Sequence, residues 1–129
     1  MKSIDINKLT VHFYDNIAEM PFENLRTEIT DDILNDYNII ELCIGKVKSK
    51  IDSGQSDYTK FNLDTHMIRL VEFIKAGNKV IPPIIINISE NNWTILDGQH
   101  RIALFLHLEL CNVPFLIRKN QMKFIGELQ

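Results

Sequence analysis

The sequence has few cysteines, no long apolar run and little net charge, and each of these narrows the class of protein. Its 129 residues include two cysteines, Cys43 and Cys111, which are not spaced as a CxxC pair and lie in separate apolar runs. We therefore expect two buried, reduced thiols rather than a disulfide or metal ligands. No run approaches the roughly 18 apolar residues that span a bilayer, and the first residues lack the apolar core of a signal peptide. These features predict a cytoplasmic protein that does not enter a membrane.

The overall charge and composition predict an ordinary folded domain. The formal net charge is −3, so the chain as a whole has no general attraction for nucleic acid or anionic lipid, although a local basic site is compatible with it. Hydrophobic residues make up 45% of the chain and charged residues 24%, a balance typical of globular proteins. A chain of this length is expected to form one domain with its own hydrophobic core.

The first half of the chain predicts a strand followed by a long helix. Weak alternation from Leu9 to Tyr14 indicates a first strand. Thr30 is a good N-cap for a helix in which apolar residues then recur every three or four positions, until Ser53 and Gly54 end it. That stripe packs on the protein's own sheet or, alternatively, forms a coiled-coil seam that makes the 31–51 helix a homodimer contact. It consists of Ile33, Tyr37, Ile40, Ile44, Val47 and Ile51.

The second half predicts two more helices and three strands. Residues 55–63 are polar and indicate a loop, after which Asp64 caps a helix that Gly77 closes. The pair Pro82-Pro83 requires an extended lead-in to a strand at 84–88, and turn residues then lead to a partner strand at 93–96. A third helix is expected from about Gly98 to Leu110, closed by Asn112, before a last strand at 113–117. The predicted inner face of the second helix consists of Met67, Leu70, Val71 and Ile74.

These elements predict a single α+β domain with a small mixed sheet and flanking helices. The strands of that sheet are expected near Leu9, Ile84, Trp93 and Val113.

The turn from the second hairpin strand into the third helix has residues suited to binding an anion. Asp97 can cap the helix, and Gly98 permits a sharp turn and the close approach of a ligand. The first N–H groups of a helix have no partner within it, and the helix dipole adds positive charge there. His100 can change protonation near neutral pH, and Arg101 carries a planar fork that suits phosphate. The alternative is that Asp97 and Gly98 form only a cap and turn, beside solvated His100 and Arg101 side chains.

The segment from His66 to Arg118 resembles the ParB/sulfiredoxin superfamily, and within it the DGQHR-type and ParB-like nuclease domains. The resemblance lies in the order of the helix, the strand entry, the strand that ends at the motif, the following helix and the last strand, and covers a little under half of the chain. The matching stretches are Met67 to Ala76, Val80-Ile81-Pro82-Pro83-Ile84-Ile85-Ile86, Trp93-Thr94-Ile95-Leu96-Asp97-Gly98-Gln99-His100-Arg101-Ile102-Ala103 and Val113-Pro114-Phe115-Leu116-Ile117.

This resemblance implies a ParB/sulfiredoxin-like fold that binds nucleotide phosphates at the motif turn. It implies binding by Gly98, His100 and Arg101, with Asp97 and Gln99 completing the turn, and ATP or CTP as the nucleotide, with or without Mg²⁺. Gln99 departs from the glutamate usual in ParB proteins and from the cysteine of sulfiredoxins. Since an amide supports neither acid–base nor thiol chemistry, sulfiredoxin activity is not expected.

Three functions follow from the resemblance. The first is a nucleotide-binding domain in nucleic-acid metabolism, phage biology or defence, with DNA or a DNA-associated protein as partner. The second is a nucleotide-dependent phosphotransferase or a nuclease of the same fold, for which the catalytic residues are unknown. The third is a protein-interaction module whose turn binds nothing.

Two other groups of residues could carry chemistry. His100 and His107 are seven positions apart, whereas metal-binding pairs on helices usually stand three or four apart, so no metal site is predicted. Glu23 and Glu28 lie in an irregular region that can face the motif and supply a general base, although their spacing does not select them.

Overall fold

The computed structural model of the protein describes residues 8–22, 32–56, 59–89 and 92–126. In these ranges it contains four strands and five helices, with short 3₁₀ helices at Ile17–Glu19 and Lys119–Phe124. The strands are β1 (Tyr37–Cys43), β2 (Ile84–Ser89), β3 (Asn92–Asp97) and β4 (Asn112–Arg118). The helices are α1 (Asp32–Asp36), α2 (Ile44–Lys50), α3 (Ser53–Ser56), α4 (Thr65–Lys75) and α5 (Gln99–His107).

The four strands form one mixed sheet in the order β1-β4-β2-β3. The last strand in sequence, β4, is interior: it pairs antiparallel with β1 over seven register positions and parallel with β2 at Ile84–Leu116 and Ile85–Ile117. Strands β2 and β3 form an antiparallel hairpin. The predicted α+β class and mixed sheet are therefore confirmed, with three of the four expected strands in place.

The sheet is covered on both faces. Helices α2, α4 and α5 bury their apolar residues against one face, around Phe105, Phe115 and Trp93. The other face carries a smaller cluster in which Ile84 and Leu116 pack against Met20 and other residues of the 14–22 segment. Because both faces are apolar, β2 and β4 are nearly continuous hydrophobic runs rather than alternating ones.

The helix predicted from 31 to 51 is wrong, because its central part is β1. Thr30 and Asp31 lie outside the described residues, α1 ends at Asp36, and α2 begins only at Ile44. The adjacent pair Ile39-Ile40 suits a strand with two apolar faces, and the two side chains join opposite clusters. The continuous surface that the homodimer alternative required is therefore not present.

Several smaller predictions also needed correction. The expected first strand at 9–14 is an extended segment with one parallel bridge, Phe13 to Val80, so it is not a member of the sheet. The predicted loop at 55–63 includes the end of α3. Helix α5 is closed by Glu109, which has a φ of 58°, rather than by Asn112, which begins β4. Neither thiol is buried: Cys43 is half-buried and Cys111 is exposed, because both lie where the β1–β4 pairing ends.

The second half of the chain was predicted more accurately. Asp64 caps α4 by accepting the Met67 N–H at 2.9 Å, and Gly77 follows it with a φ of 91°. The pair Pro82-Pro83 directly precedes β2, as predicted, and β3 and β4 also lie where expected.

The outer edge of β3 is covered by the segment that follows α2. Ile51 bridges to Trp93, and the Asp52 N–H donates to the Trp93 carbonyl at 2.9 Å. The Gln55 side chain then accepts the Ile95 N–H at 2.7 Å and donates to the Ile95 carbonyl at 2.9 Å. The Gln55 amide thus makes the two hydrogen bonds to Ile95 that a neighbouring strand would otherwise make.

Candidate anion-binding site

The strand-to-helix turn at Gly98 requires glycine for two reasons. Strand β3 ends at Asp97 and α5 begins at Gln99, so Gly98 is the helix N-cap, with φ of 112° and ψ of 19°. Residues other than glycine rarely adopt this left-handed backbone conformation. A Cβ at position 98 would also lie 2.9 Å from Pro83 Cα, from Pro83 Cβ and from Arg101 Nη2. The glycine therefore lets the turn pack directly onto Pro83.

Asp97 does not cap α5, so that prediction is wrong. The N-cap Gly98 offers no side-chain hydrogen bond to the first turn. Asp97 Oδ1 instead accepts from Arg101 Nη2 at 3.3 Å. The first N–H groups of α5 have no partner within the helix, and neither Asp97 nor Gly98 caps them with a side chain. The helix dipole adds partial positive charge at the same place.

The ion pair between Asp97 and Arg101 is largely withdrawn from solvent. The Arg101 side chain is 12% exposed and that of Asp97 is 21% exposed. Within the described part of the chain, Arg101 Nε and Asp97 Oδ2 are buried atoms without a hydrogen-bond partner. Burial lowers the pKa of Arg101, and the Asp97 carboxylate opposes that shift. Arginine remains protonated at neutral pH, so the pair carries both of its charges.

His100 points to a different neighbourhood, the start of α4. Its Nε2 lies 4.0 Å from Asp64 Oδ2, and both side chains are 43% exposed. The His100 and His66 ring centroids are 5.2 Å apart, with the planes inclined by 43°. Each histidine is the second residue of its helix, so the N-termini of α4 and α5 meet here.

Asp64 is held as a carboxylate by its surroundings. Its pKa is lowered mainly by the hydrogen bond from the Met67 N–H and further by the nearby His100 and His66, while desolvation acts in the opposite direction. The carboxylate therefore supplies negative charge beside His100 throughout the neutral range.

The five residues predicted to bind a ligand thus fall into two groups. Asp97, Gly98 and Arg101 form the inner side of the turn, His100 faces Asp64 and His66, and Gln99 is half-buried at the first position of α5. The expected convergence of His100 and Arg101 on one spot is not observed. The sequence did not predict that His66 and Asp64 lie beside this site. The one available signal was that a histidine stands at the second position of each of the two helices.

His107, the other histidine considered for a metal site, lies against a different side chain. His107 stacks on Phe61, with centroids 3.7 Å apart and planes at 7°. Glu23 and Glu28 lie outside the described residues. Among the residues that are described, no group of three or more histidine, cysteine, aspartate or glutamate side chains is arranged to hold a metal ion.

Two surface cavities lie elsewhere on the molecule. One of about 250 Å³ has Lys8, His12 and Lys75 in its lining, and one of about 150 Å³ is lined by Asp36, Arg118, Lys119 and Asn120.

In the described ranges, no helix is both long enough and apolar enough to cross a membrane. No protein-family model, curated protein or solved structure matches the chain.

Proposed function

We propose that this domain binds the phosphate group of a nucleotide at the N-terminus of α5, beside the N-terminus of α4. The observation that carries the proposal is the meeting of these two helix ends, with the His66 and His100 rings 5.2 Å apart and a glycine, which has no side chain to cap the helix, at the N-cap of α5. Unpaired N–H groups at a helix start attract anions, and imidazole rings can add hydrogen-bond donors beside them.

The resemblance to ParB/sulfiredoxin-like domains supports the same site and extends the proposal to ATP or CTP. In those domains the corresponding turn holds nucleotide phosphates, and the order of α4, β2, β3, α5 and β4 follows the order that the resemblance implies. A role in nucleic-acid metabolism, phage biology or defence belongs to this proposal, as does a DNA or DNA-associated partner.

A thermal-shift panel of ATP, CTP, GTP, UTP and inorganic phosphate, each with and without Mg²⁺, tests this function. We expect at least one phosphate compound to raise the melting temperature, because a ligand that binds only the folded state stabilises it. His100→Ala should reduce that shift, because it removes an imidazole donor beside the start of α5. His12→Ala, an exposed histidine on the N-terminal segment, serves as the matched control. Assays of nucleotide turnover and DNA cleavage on the same protein separate a binding domain from a phosphotransferase or nuclease.

A protein-interaction module is the second candidate, and the two carboxylates near the turn favour it. Asp64 lies 4.0 Å from His100, and Asp97 pairs with Arg101, so both side chains reduce the positive charge available to an anion. Failure of every phosphate compound to shift the melting temperature would favour this module over the nucleotide site.

A further inference from the structure

The guanidinium of Arg101 lies on the inner side of the Gly98 turn. Its Nη2 lies 2.9 Å from the point that a Cβ of residue 98 would occupy and 3.3 Å from Asp97 Oδ1. Only 12% of the side chain is exposed. An anion approaching the start of α5 from solvent therefore meets the backbone of the turn and His100 before it reaches this guanidinium.

The ion pair between Asp97 and Arg101 joins the residues on either side of the turn. Asp97 is the last residue of β3, Gly98 is the N-cap, and Arg101 is the third residue of α5. A contact between Asp97 and Arg101 therefore fixes the end of the strand relative to the first turn of the helix. The same first turn is closed by the Ile102 N–H, which donates to the Gly98 carbonyl at 2.9 Å.

We infer that Arg101 is a positioning residue: it pairs with Asp97 to hold the Gly98 turn, so that the first N–H groups of α5 stay arranged for a phosphate that Arg101 itself does not touch. This inference rests on the proposed function of the α5 N-terminus. A phosphate that took Arg101 for itself would leave the Asp97 carboxylate, only 21% exposed, without its cation.

The variant Asp97→Asn separates a positioning role from direct contact, because the two roles predict effects of opposite sign. If Arg101 positions the turn, the neutral amide of asparagine holds the guanidinium less strongly than the carboxylate does, so the first turn loosens and binding of ATP or inorganic phosphate weakens by about tenfold, the scale of the charge lost from one hydrogen bond. If Arg101 contacts the phosphate, removal of the competing carboxylate leaves the affinity unchanged or raises it. Affinity is measured by titration calorimetry on protein shown to be folded by its cooperative melting.

Two variants of Arg101 complete the comparison. Arg101→Lys preserves a single N–H contact with Asp97, which is all that the present geometry uses, and should retain most of the affinity, whereas a two-pronged phosphate contact would be lost. Arg101→Met, which removes the contact with residue 97 altogether, should weaken binding at least as much as Asp97→Asn. Arg118→Ala, an arginine at the C-terminal end of β4 and outside the turn, is the control and should bind as the unmodified protein does. A loss of affinity in Arg101→Lys as large as in Arg101→Met would overturn the inference.

A second measurement keeps the inference testable when no ligand binds. Amide exchange of Ile102, referred to that of Val71 in α4, reports on the turn itself. We expect Asp97→Asn to accelerate exchange at Ile102 by about tenfold relative to Val71, the scale of one weakened contact. If the unmodified protein binds no phosphate compound, the proposed function fails while this exchange ratio still decides whether the pair holds the turn. An unchanged ratio overturns the positioning role, even if the variant binds phosphate normally.

Discussion

At the scale of single residues, three glycines allow backbone strain and steric overlap to be measured separately. Gly98 combines a φ of 112° with a 2.9 Å contact to Pro83, Gly77 has a φ of 91° and open space, and Gly45 has neither constraint. We expect Gly77→Ala to lower the free energy of unfolding by about 1–2 kcal/mol from strain alone. Gly98→Ala should cost more, because the methyl group also displaces Pro83, while Gly45→Ala should cost nothing or stabilise α2. Urea unfolding of the three variants gives the comparison, and equal losses for Gly98 and Gly77 would contradict it.

Side-chain partners at the turn were harder to predict than its backbone. The order Leu96, Asp97, Gly98 predicted a strand, a turn and a helix, and the structure has them in that order. The partner of Asp97 was not predicted, because an aspartate before a helix can cap it or pair four residues ahead, and the close contact with Pro83 decides which position becomes the N-cap. His66 was missed because its neighbour, His100, is 34 positions away in sequence and becomes adjacent only when α4 packs on α5.

At the scale of elements, the cap of α4 makes stability depend on pH. The pKa of Asp64 is lowered in the folded protein, chiefly by the Met67 N–H. A carboxyl whose folded pKa is lowered stabilises the fold above its unfolded pKa, and this contribution disappears as pH falls through the folded pKa. Asp64→Ala should therefore unfold at lower urea than the unmodified protein at neutral pH, and the two should converge as pH falls through the lowered pKa of Asp64.

The matched control for this prediction is Asp64→Asn. Asparagine also caps helices but carries no charge, so it should lose less stability than alanine at neutral pH, and its advantage over the alanine variant should not change with pH. A gap between the unmodified protein and Asp64→Ala that stays constant down to acid pH would contradict the assigned cause.

The two hydrogen bonds between the Gln55 side chain and the backbone of Ile95 in β3 give a second prediction at this scale. Gln55→Ala removes both hydrogen bonds to Ile95 and leaves two backbone groups at a half-buried sheet edge, so we expect a loss of about 1–3 kcal/mol in the free energy of unfolding. Gln55→Glu keeps an acceptor for the Ile95 N–H but loses the donor, and should fall between the alanine variant and the unmodified protein. Urea unfolding and the exchange rate of the Ile95 amide give the two readouts. An alanine variant as stable as the unmodified protein would show that the amide adds nothing to the edge.

Local signals predicted the second half of the chain well and failed between residues 31 and 51. From Asp64 onward, each element is set by neighbours in sequence: a capping aspartate, a left-handed glycine, a pair of prolines and a hairpin. The spacing of apolar residues from 33 to 51 fits a helix, but β1 owes its structure to pairing with β4, about 70 residues later in the chain. Such a distant partner leaves no periodic signal in the segment itself.

At the scale of the whole molecule, the motif-bearing segment is predicted not to fold by itself. A fragment of residues 64–118 contains the turn and both longer helices, yet its β4 keeps only the two register pairs with β2. It also loses the core residues Leu42, Ile44 and Val47 and the residues that cover the second face of the sheet. We expect this fragment to show no cooperative urea transition, whereas the full chain should show one. A cooperative transition and a dispersed amide spectrum for the short fragment would contradict this.

The interior position of β4 also affects how the protein is made. A ribosome that has just completed β1 must add about 70 residues before β4 exists, which takes roughly 4–14 seconds at typical elongation rates. Throughout that interval the apolar Ile39, Ile40 and Leu42 have no strand beside them, so the nascent chain presents a binding segment for chaperones. Chains arrested before residue 112 should be cut by protease within β1, and chains that carry an arrest linker after residue 129, long enough to place β4 outside the ribosome, should resist. Limited digestion of stalled ribosome complexes measures both.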